Sequence, residues 1–206
     1  MADEVVLLDF WPSPFGMRVR MALAEKGIKY EYKEENLREK SPLLLKMNPI
    51  HKKIPILIHN IISICESLVI VEYIDKVWKN KTPLLPSDPY ESHSKVYDYG
   101  KKLWMTKGEE HEKVKKEFIE ILKVLEGELG KKSYFGGAKM GFLDLAFIPY
   151  YTWFYTYEKC GKFSIEEECP KLVSWAKKCM EKENVSESLP EPEKVYEELE
   201  KLYPIE

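Results

Sequence analysis

Ser13 is the first residue whose type and setting point to chemistry. It stands between two prolines in Trp11-Pro12-Ser13-Pro14-Phe15-Gly16, after an apolar run and ahead of good helix formers. A helix N-terminus presents unpaired N–H groups and the positive end of the dipole, which favours an anion. A hydroxyl at such a point can donate a hydrogen bond to that anion, or it can be a capping serine and nothing more. Glu66-Ser67 opens a second helical stretch, with Ser67 a plausible N-cap. Ile54-Pro55 begins an apolar run; X-Pro bonds are where cis peptides occur, although trans is the commoner form. Phe147, Tyr150, Tyr151, Trp153, Phe154, Tyr155 and Tyr157 crowd one short stretch. One helix face cannot hold so many rings, so part of the set belongs to a core and part is free for an apolar ligand.

Other chemistries are excluded by composition. Cys65, Cys160, Cys169 and Cys179 form no C-x-x-C pair and the four histidines are scattered, so no metal site is expected and a reduced chain is. Of 32 basic residues only Arg18, Arg20 and Arg38 are arginine, and the net charge is −3. A chain so short of bidentate donors is not built for nucleic acid. No apolar run reaches the roughly 18 residues that span a bilayer. The chain starts Met-Ala-Asp-Glu, acidic where a secretory signal would be basic, and a cytoplasmic location is expected.

The elements that must position these residues follow from periodicity. Val5 to Asp9 reads as a buried strand, and Met17 to Lys26 as a helix closed by Gly27. Ile28, Tyr30 and Tyr32 alternate with charged residues, the period of a half-buried strand. A short helix is expected at Pro42–Met47, strands at Ile54–Ile58 and Ile61–Cys65, and a helix at Ser67–Trp78. The order β-α-β, helix, β-β-α is thioredoxin-like, with the first two strands parallel. Prolines at 83, 86 and 89 mark a linker, and beyond it no strand pattern persists. Val114, Phe118, Ile121, Leu122, Leu125 and Leu129 form one helical stripe. A further helix starts at Phe142 with Gly141 as N-cap and Asp144 at N3, another follows Pro170, and a last one covers Val195–Leu202. The expected architecture is an α/β thioredoxin-like domain over 1–80, a linker over 81–89 and an all-α domain over 90–206.

Nearly the whole chain resembles the plant tau-class glutathione transferases. The resemblance is carried by Trp11-Pro12-Ser13-Pro14-Phe15, Glu39-Lys40-Ser41-Pro42, Asn48-Pro49-Ile50-His51-Lys52-Lys53-Ile54-Pro55 and Cys65-Glu66-Ser67, with Tyr134-Phe135-Gly136-Gly137 and Cys169-Pro170-Lys171-Leu172 in the second domain. It implies a transferase that takes glutathione as co-substrate, needs no metal, and joins the glutathione thiolate to apolar xenobiotics or lipid-peroxidation products, with hydroperoxide reduction as a side activity. Serine is too weak a base to remove the thiol proton, so Ser13 would donate a hydrogen bond to the thiolate and lower its pKa. The resemblance further implies a cis Ile54-Pro55 bond whose Ile54 backbone pairs with the cysteinyl residue of glutathione. Glu66 and Ser67 would hold the γ-glutamyl end, and Lys40 and Lys53 the glycine carboxylate. Phe10, Trp11 and Phe15, with Trp104 and Trp153 from the second domain, would surround the electrophile. A homodimer is implied as well.

Two departures from the family stand out. The hairpin reads Asn60-Ile61-Ile62-Ser63 where this class has Asn-Gly-Lys-Pro, and a type I′ turn would force β-branched Ile61 to positive φ. Either the turn takes another geometry or the fold is locally less stable, and on the second premise Ile61→Gly raises the melting temperature. Residues 91–103 also look too few for the outgoing and returning helices of the second domain, as if a hairpin segment bearing on the acceptor pocket and the dimer interface were missing. A non-catalytic carrier of apolar molecules, ligandin-like, is the alternative this shortening favours. A thiol-transferase would need a nucleophilic cysteine where Ser13 stands, and Cys65, on a strand, reads as structural.

Overall fold

Val5–Asp9 (β1) is apolar at four successive positions and buried throughout, the pattern of a strand covered on both faces. In the computed structural model, in which residues 4–79 and 92–203 are described, β1 is indeed central. Glu31–Glu34 (β2) lies beside it in parallel, and Ile56–His59 (β3) on its other side runs antiparallel and pairs in turn with Ile62–Cys65 (β4). The sheet order is β2-β1-β3-β4. Pro14–Glu25 (α1) makes the crossover that a parallel pair requires, and Pro42–Met47 (α2) and Ser67–Val77 (α3) complete the unit. Val6, Leu8, Ile56 and Ile58 pack with Leu44 of α2 on one face of the sheet. Alternation turns Leu7 and Asp9 to the other face, where α1 and α3 pack together.

Local sequence explains the helix ends. Ser13-Pro14 and Ser41-Pro42 are both N-cap and N1 pairs: Ser13 Oγ accepts from the Gly16 N–H at 3.3 Å and Ser41 Oγ from the Leu44 N–H at 3.0 Å. The first helix therefore starts at Pro14 rather than at Met17, because the capping serine lies inside what reads as a loop. It ends in a Schellman arrangement, with Gly27 at φ +62°, the Gly27 N–H on Ala24 O and the Ile28 N–H on Leu23 O. The second strand is shorter than its alternation indicates and begins only at Glu31.

The β3–β4 turn corrects an expectation. Asn60 alone of the two turn residues has positive φ (+56°), and its side chain and N–H bond the Glu4 backbone across the sheet end. Ile61 stays at negative φ with its side chain 93% exposed. The strain that made Ile61→Gly stabilising is absent, so that premise fails.

The chain divides into two compact units, Met1–Leu85 and Pro86–Glu206; the expected linker at 81–89 lies outside the described residues. The second unit is helical: Ser92–Lys102 (α4), Gly108–Leu129 (α5), Phe142–Phe147 (α6), Tyr151–Gly161 (α7), Ile165–Glu168 (α8), Pro170–Met180 (α9), Glu183–Ser186 (α10) and Pro192–Leu202 (α11). The apolar stripe of α5 is buried except at half-buried Ile121. Ser92–Lys102 supplies the 11 residues of α4 alone, and the returning helix is the 22-residue α5, packed against it. Fully buried Asp144 caps α6 as expected and does more: its carboxylate accepts from the N–H groups of Phe135, Gly136 and Gly141 and from Trp175 Nε1, all within 2.7–2.9 Å. Among the described residues no helix is long and apolar enough to cross a membrane.

Candidate functional site

Strand register brings the expected site residues of the first unit to one end of the sheet. Leu8 opposes Ile56 and Ile56 opposes Cys65, so the segments that follow β1, precede β3 and follow β4 leave the ladder together. Asp9 opposes Glu34 in the parallel pair, so the loop carrying Lys40 departs from the same end. Phe10 to Ser13, Ile54, and Glu66-Ser67 are thereby neighbours in the fold although they are far apart in the chain.

Ser13 is 6% exposed and ends a turn in which its N–H donates to Phe10 O at 2.8 Å. Its oxygen is occupied as acceptor by the Gly16 N–H, yet its hydroxyl proton goes to none of the described residues. A hydroxyl carries one donor and two acceptor sites. Capping and donation to a bound anion are thus compatible, and the two readings of Ser13 no longer compete.

The Ile54-Pro55 bond is cis, as the resemblance implies. Ile54 precedes β3, outside its ladder, and its side chain packs on the core beside Leu43, Met47 and Cys65. Lys53 is held through its carbonyl, which accepts from Asn48 Nδ2 at 3.1 Å, while Asn48 Oδ1 takes the His51 N–H at 3.2 Å. The loop of Lys40 is anchored just beyond it by buried Glu35, whose carboxylate accepts from Ser41 Oγ at 2.6 Å and Ser41 N at 3.2 Å. Both lysine side chains are exposed, one before α2 and one after it.

Ser67 is buried, and it is the first residue of α3 rather than its N-cap. The N-cap is Glu66, at φ +67° and ψ 116° with no side-chain capping bond, a conformation disfavoured for a residue with a Cβ. Ser67 Oγ accepts instead from Arg18 Nη1 at 3.3 Å, and Arg18 is itself buried with its guanidinium over the Phe15 ring. Neighbouring Cys65 is half-buried, and burial and then the Glu66 charge push its thiol pKa up, away from nucleophilic use.

Phe10, Trp11 and Phe15 are half-buried around Ser13. In the helical unit Trp104 is half-buried, with the rings of Trp153, Tyr157 and Tyr203 about it. Trp153 is only 5% exposed and packs between Tyr97 and Tyr157, a core position. Of the seven crowded aromatics only Tyr151 and Tyr155 are not buried.

Four residues of this region were not legible as site residues: Asp9, Glu35, Asn48 and Arg18. Each is a polar side chain buried behind the loops. The available signal was the use of arginine at 18 and 20 in a chain that otherwise takes lysine almost everywhere.

Residues 3–76 match the family profile of the glutathione S-transferase N-terminal domain, and residues 79–183 that of the C-terminal domain. The chain is 65% identical over 205 residues to probable glutathione S-transferase parA of Nicotiana tabacum, covering 95% of this chain and 93% of that one. It is 60% identical to glutathione S-transferase U25 of Arabidopsis thaliana over the same shares of the two chains. Among solved structures, rice GST1 in complex with glutathione superposes with a TM-score of 0.90 at 44% identity, over 98% of this chain and 97% of that one. The tau-class enzyme of mango, Mangifera indica, superposes with a TM-score of 0.88 at 40% identity, over 97% and 99%. With both domains matched and the thioredoxin-like and helical units in place, the chain belongs to the tau class of the plant glutathione S-transferases.

Proposed function

We propose that glutathione binds at the sheet end where the loops of the first unit converge, with Ser13 Oγ donating a hydrogen bond to its sulfur. The observation that carries this reading is the state of Ser13. Its oxygen caps α1, its proton is unclaimed by the described residues, and it sits at the positive end of a 12-residue helix. Donor and dipole together favour thiolate over thiol and raise the thiolate fraction near neutral pH. The Ile54 backbone pairs with the cysteinyl residue of glutathione as a short β-bridge. Ser67 takes the γ-glutamyl carboxylate, Glu66 the ammonium, and Lys40 and Lys53 the glycine carboxylate. The structure of the rice relative is a complex with glutathione, which supports this choice of co-substrate.

The acceptor is an apolar electrophile, a xenobiotic or a lipid-peroxidation product, with Phe10, Trp11 and Phe15 beside the sulfur. Holding thiolate and electrophile together supplies the rate gain, and no metal is required. The same thiolate can attack an organic hydroperoxide, two glutathiones giving the disulfide with release of alcohol and water. The enzyme acts in the cytosol as a homodimer.

The test is conjugation of a chlorodinitrobenzene-type substrate by the wild type and Ser13→Ala. Loss of one well-placed donor lowers kcat/KM by about a hundredfold, with the KM for glutathione changed far less. Full activity in the variant removes Ser13 from this role. A wild type that binds glutathione without turnover would return the carrier reading.

A further inference from the structure

The turn that presents Ser13 is poorly specified by its own residues. The Ser13 N–H to Phe10 O bond closes a four-residue turn with Trp11 and Pro12 at its centre. Proline at the third turn position pushes the preceding residue out of the α region, which disfavours such a turn. The support comes from outside. Arg20 Nη2 donates to Trp11 O at 2.7 Å, and the Trp11 N–H donates to Glu34 Oε1 at 3.2 Å, so the central residue is held on both sides.

Arg20 is seated in turn on Asp9. Its Nη1 lies 2.8 Å from Asp9 Oδ2, and Asp9 is 0% exposed at the end of β1. The first turn of α1 lies directly against this carboxylate: a Cβ on Gly16 would come within 1.8 Å of Asp9 Oδ1. Asp9 Oδ1 has no hydrogen-bond partner among the described residues, so the bonded arm of this carboxylate is the one that faces Arg20. The Arg20 guanidinium also lies 6.0 Å from the Tyr32 ring centroid, and the Tyr32 hydroxyl bonds Glu34. Buried carboxylate, arginine fork and loop peptide form one connected chain ending two residues before Ser13.

We infer that Arg20, seated on Asp9 and assisted by Glu34, is the positioning residue of the Ser13 turn and governs how well the Ser13 hydroxyl reaches the glutathione sulfur. Arginine suits the task because its planar fork serves two acceptors at once in fixed geometry. Arg20 acts through Trp11 and Ser13 and does not touch the sulfur. Its effect therefore falls on thiolate formation and leaves the groups that hold the peptide of glutathione in place.

The inference rests on the reading of Ser13 as thiolate donor, and the experiment separates the two. The pKa of enzyme-bound glutathione is read from the ultraviolet thiolate absorbance against pH for wild type, Ser13→Ala, Arg20→Gln and Arg20→Lys. Thermal midpoints and the KM for glutathione are measured alongside. Ser13→Ala should raise the bound-thiol pKa towards that of free glutathione. Arg20→Gln should raise it by about one unit, a tenfold loss of thiolate below that pKa, with KM near the wild-type value and partial recovery in Arg20→Lys. A stability loss in Arg20→Gln with an unchanged thiol pKa makes Arg20 a purely structural residue and overturns the inference alone. An unchanged thiol pKa in Ser13→Ala overturns the Ser13 reading and the inference with it. Should Arg20→Gln not fold, Arg20→Lys is titrated in its place. A raised pKa there supports the inference, and the wild-type value overturns it.

Discussion

Arg18 and Arg20 lie on α1 in a chain that draws all but three of its 32 basic residues from outside arginine, and each meets a task a lysine would do poorly. Arg18 is buried against the Phe15 ring with a nitrogen on Ser67; Arg20 joins a carboxylate and a carbonyl. Guanidinium is weakly hydrated and pre-organised, so it tolerates burial and dual acceptance better than an ammonium. Asp9 is the costly partner. Burial raises its carboxyl from the ordinary 3.8 to about 7; the Arg20 charge and then the Phe10 backbone N–H pull the other way and Glu34 adds to the rise, with Tyr30 and Tyr32 also close by. Desolvation outweighs the ion pair at Asp9, as it can for any buried charge. A folded-state pKa above the unfolded one means the native state holds this proton more tightly. The contribution to stability is then complete below about pH 4 and is lost as pH rises through about 7. The unfolding free energy of wild type minus that of Asp9→Asn should therefore fall between those limits and level off above them. Denaturant midpoints of both proteins across that range check it, and a pH-independent difference would mean that Asp9 does not titrate there.

At the scale of elements, most boundaries were readable because local rules set them. Ser13-Pro14 and Ser41-Pro42 cap their helices, Gly27 ends α1 with a left-handed residue, and Asp144 takes the N3 role three residues after Gly141. Errors arose where two local solutions existed. A two-residue hairpin loop can place positive φ at both central residues or at the first alone, and Asn60 takes the second course with help from Glu4. Ile61 is thereby unstrained. Glycine there would only add freedom to the unfolded chain, so Ile61→Gly should lower stability by about 0.5–1 kcal/mol, measured as a shift in urea midpoint without change in m-value. A higher midpoint would restore the strained turn. In the second domain the returning helix is α5, which starts at Gly108 after Trp104 and carries the apolar stripe read from the sequence.

For the whole molecule, the two units differ in what they hold. In the first, strand register brings the segments of Ser13, Ile54, Glu66 and Ser67 to one end of the sheet; in the helical unit Trp104 is half-buried and Trp153 belongs to the core. The first unit also exposes apolar side chains on one helix and on the hairpin that edges its sheet, Val69 and Val77 of α3 with Ile61 and Ile62. An unpaired sheet edge bearing exposed isoleucines is an association surface or a liability. Static light scattering should give twice the 24.3 kDa of one chain if the proposed homodimer forms; a monomer mass at working concentration would reject it. The sequence alone determined the element order, the helix caps and the motif blocks, because propensity, capping and periodicity act over a few residues. Tertiary structure alone decided that Asp9, Arg20, Glu34 and Trp11 meet, that Arg18 reaches Ser67, and that Glu35 and Asn48 hold the loops of Lys40 and Lys53. Those contacts depend on strand register and on which buried polar groups find each other once water is excluded, and separation along the chain carries no trace of either.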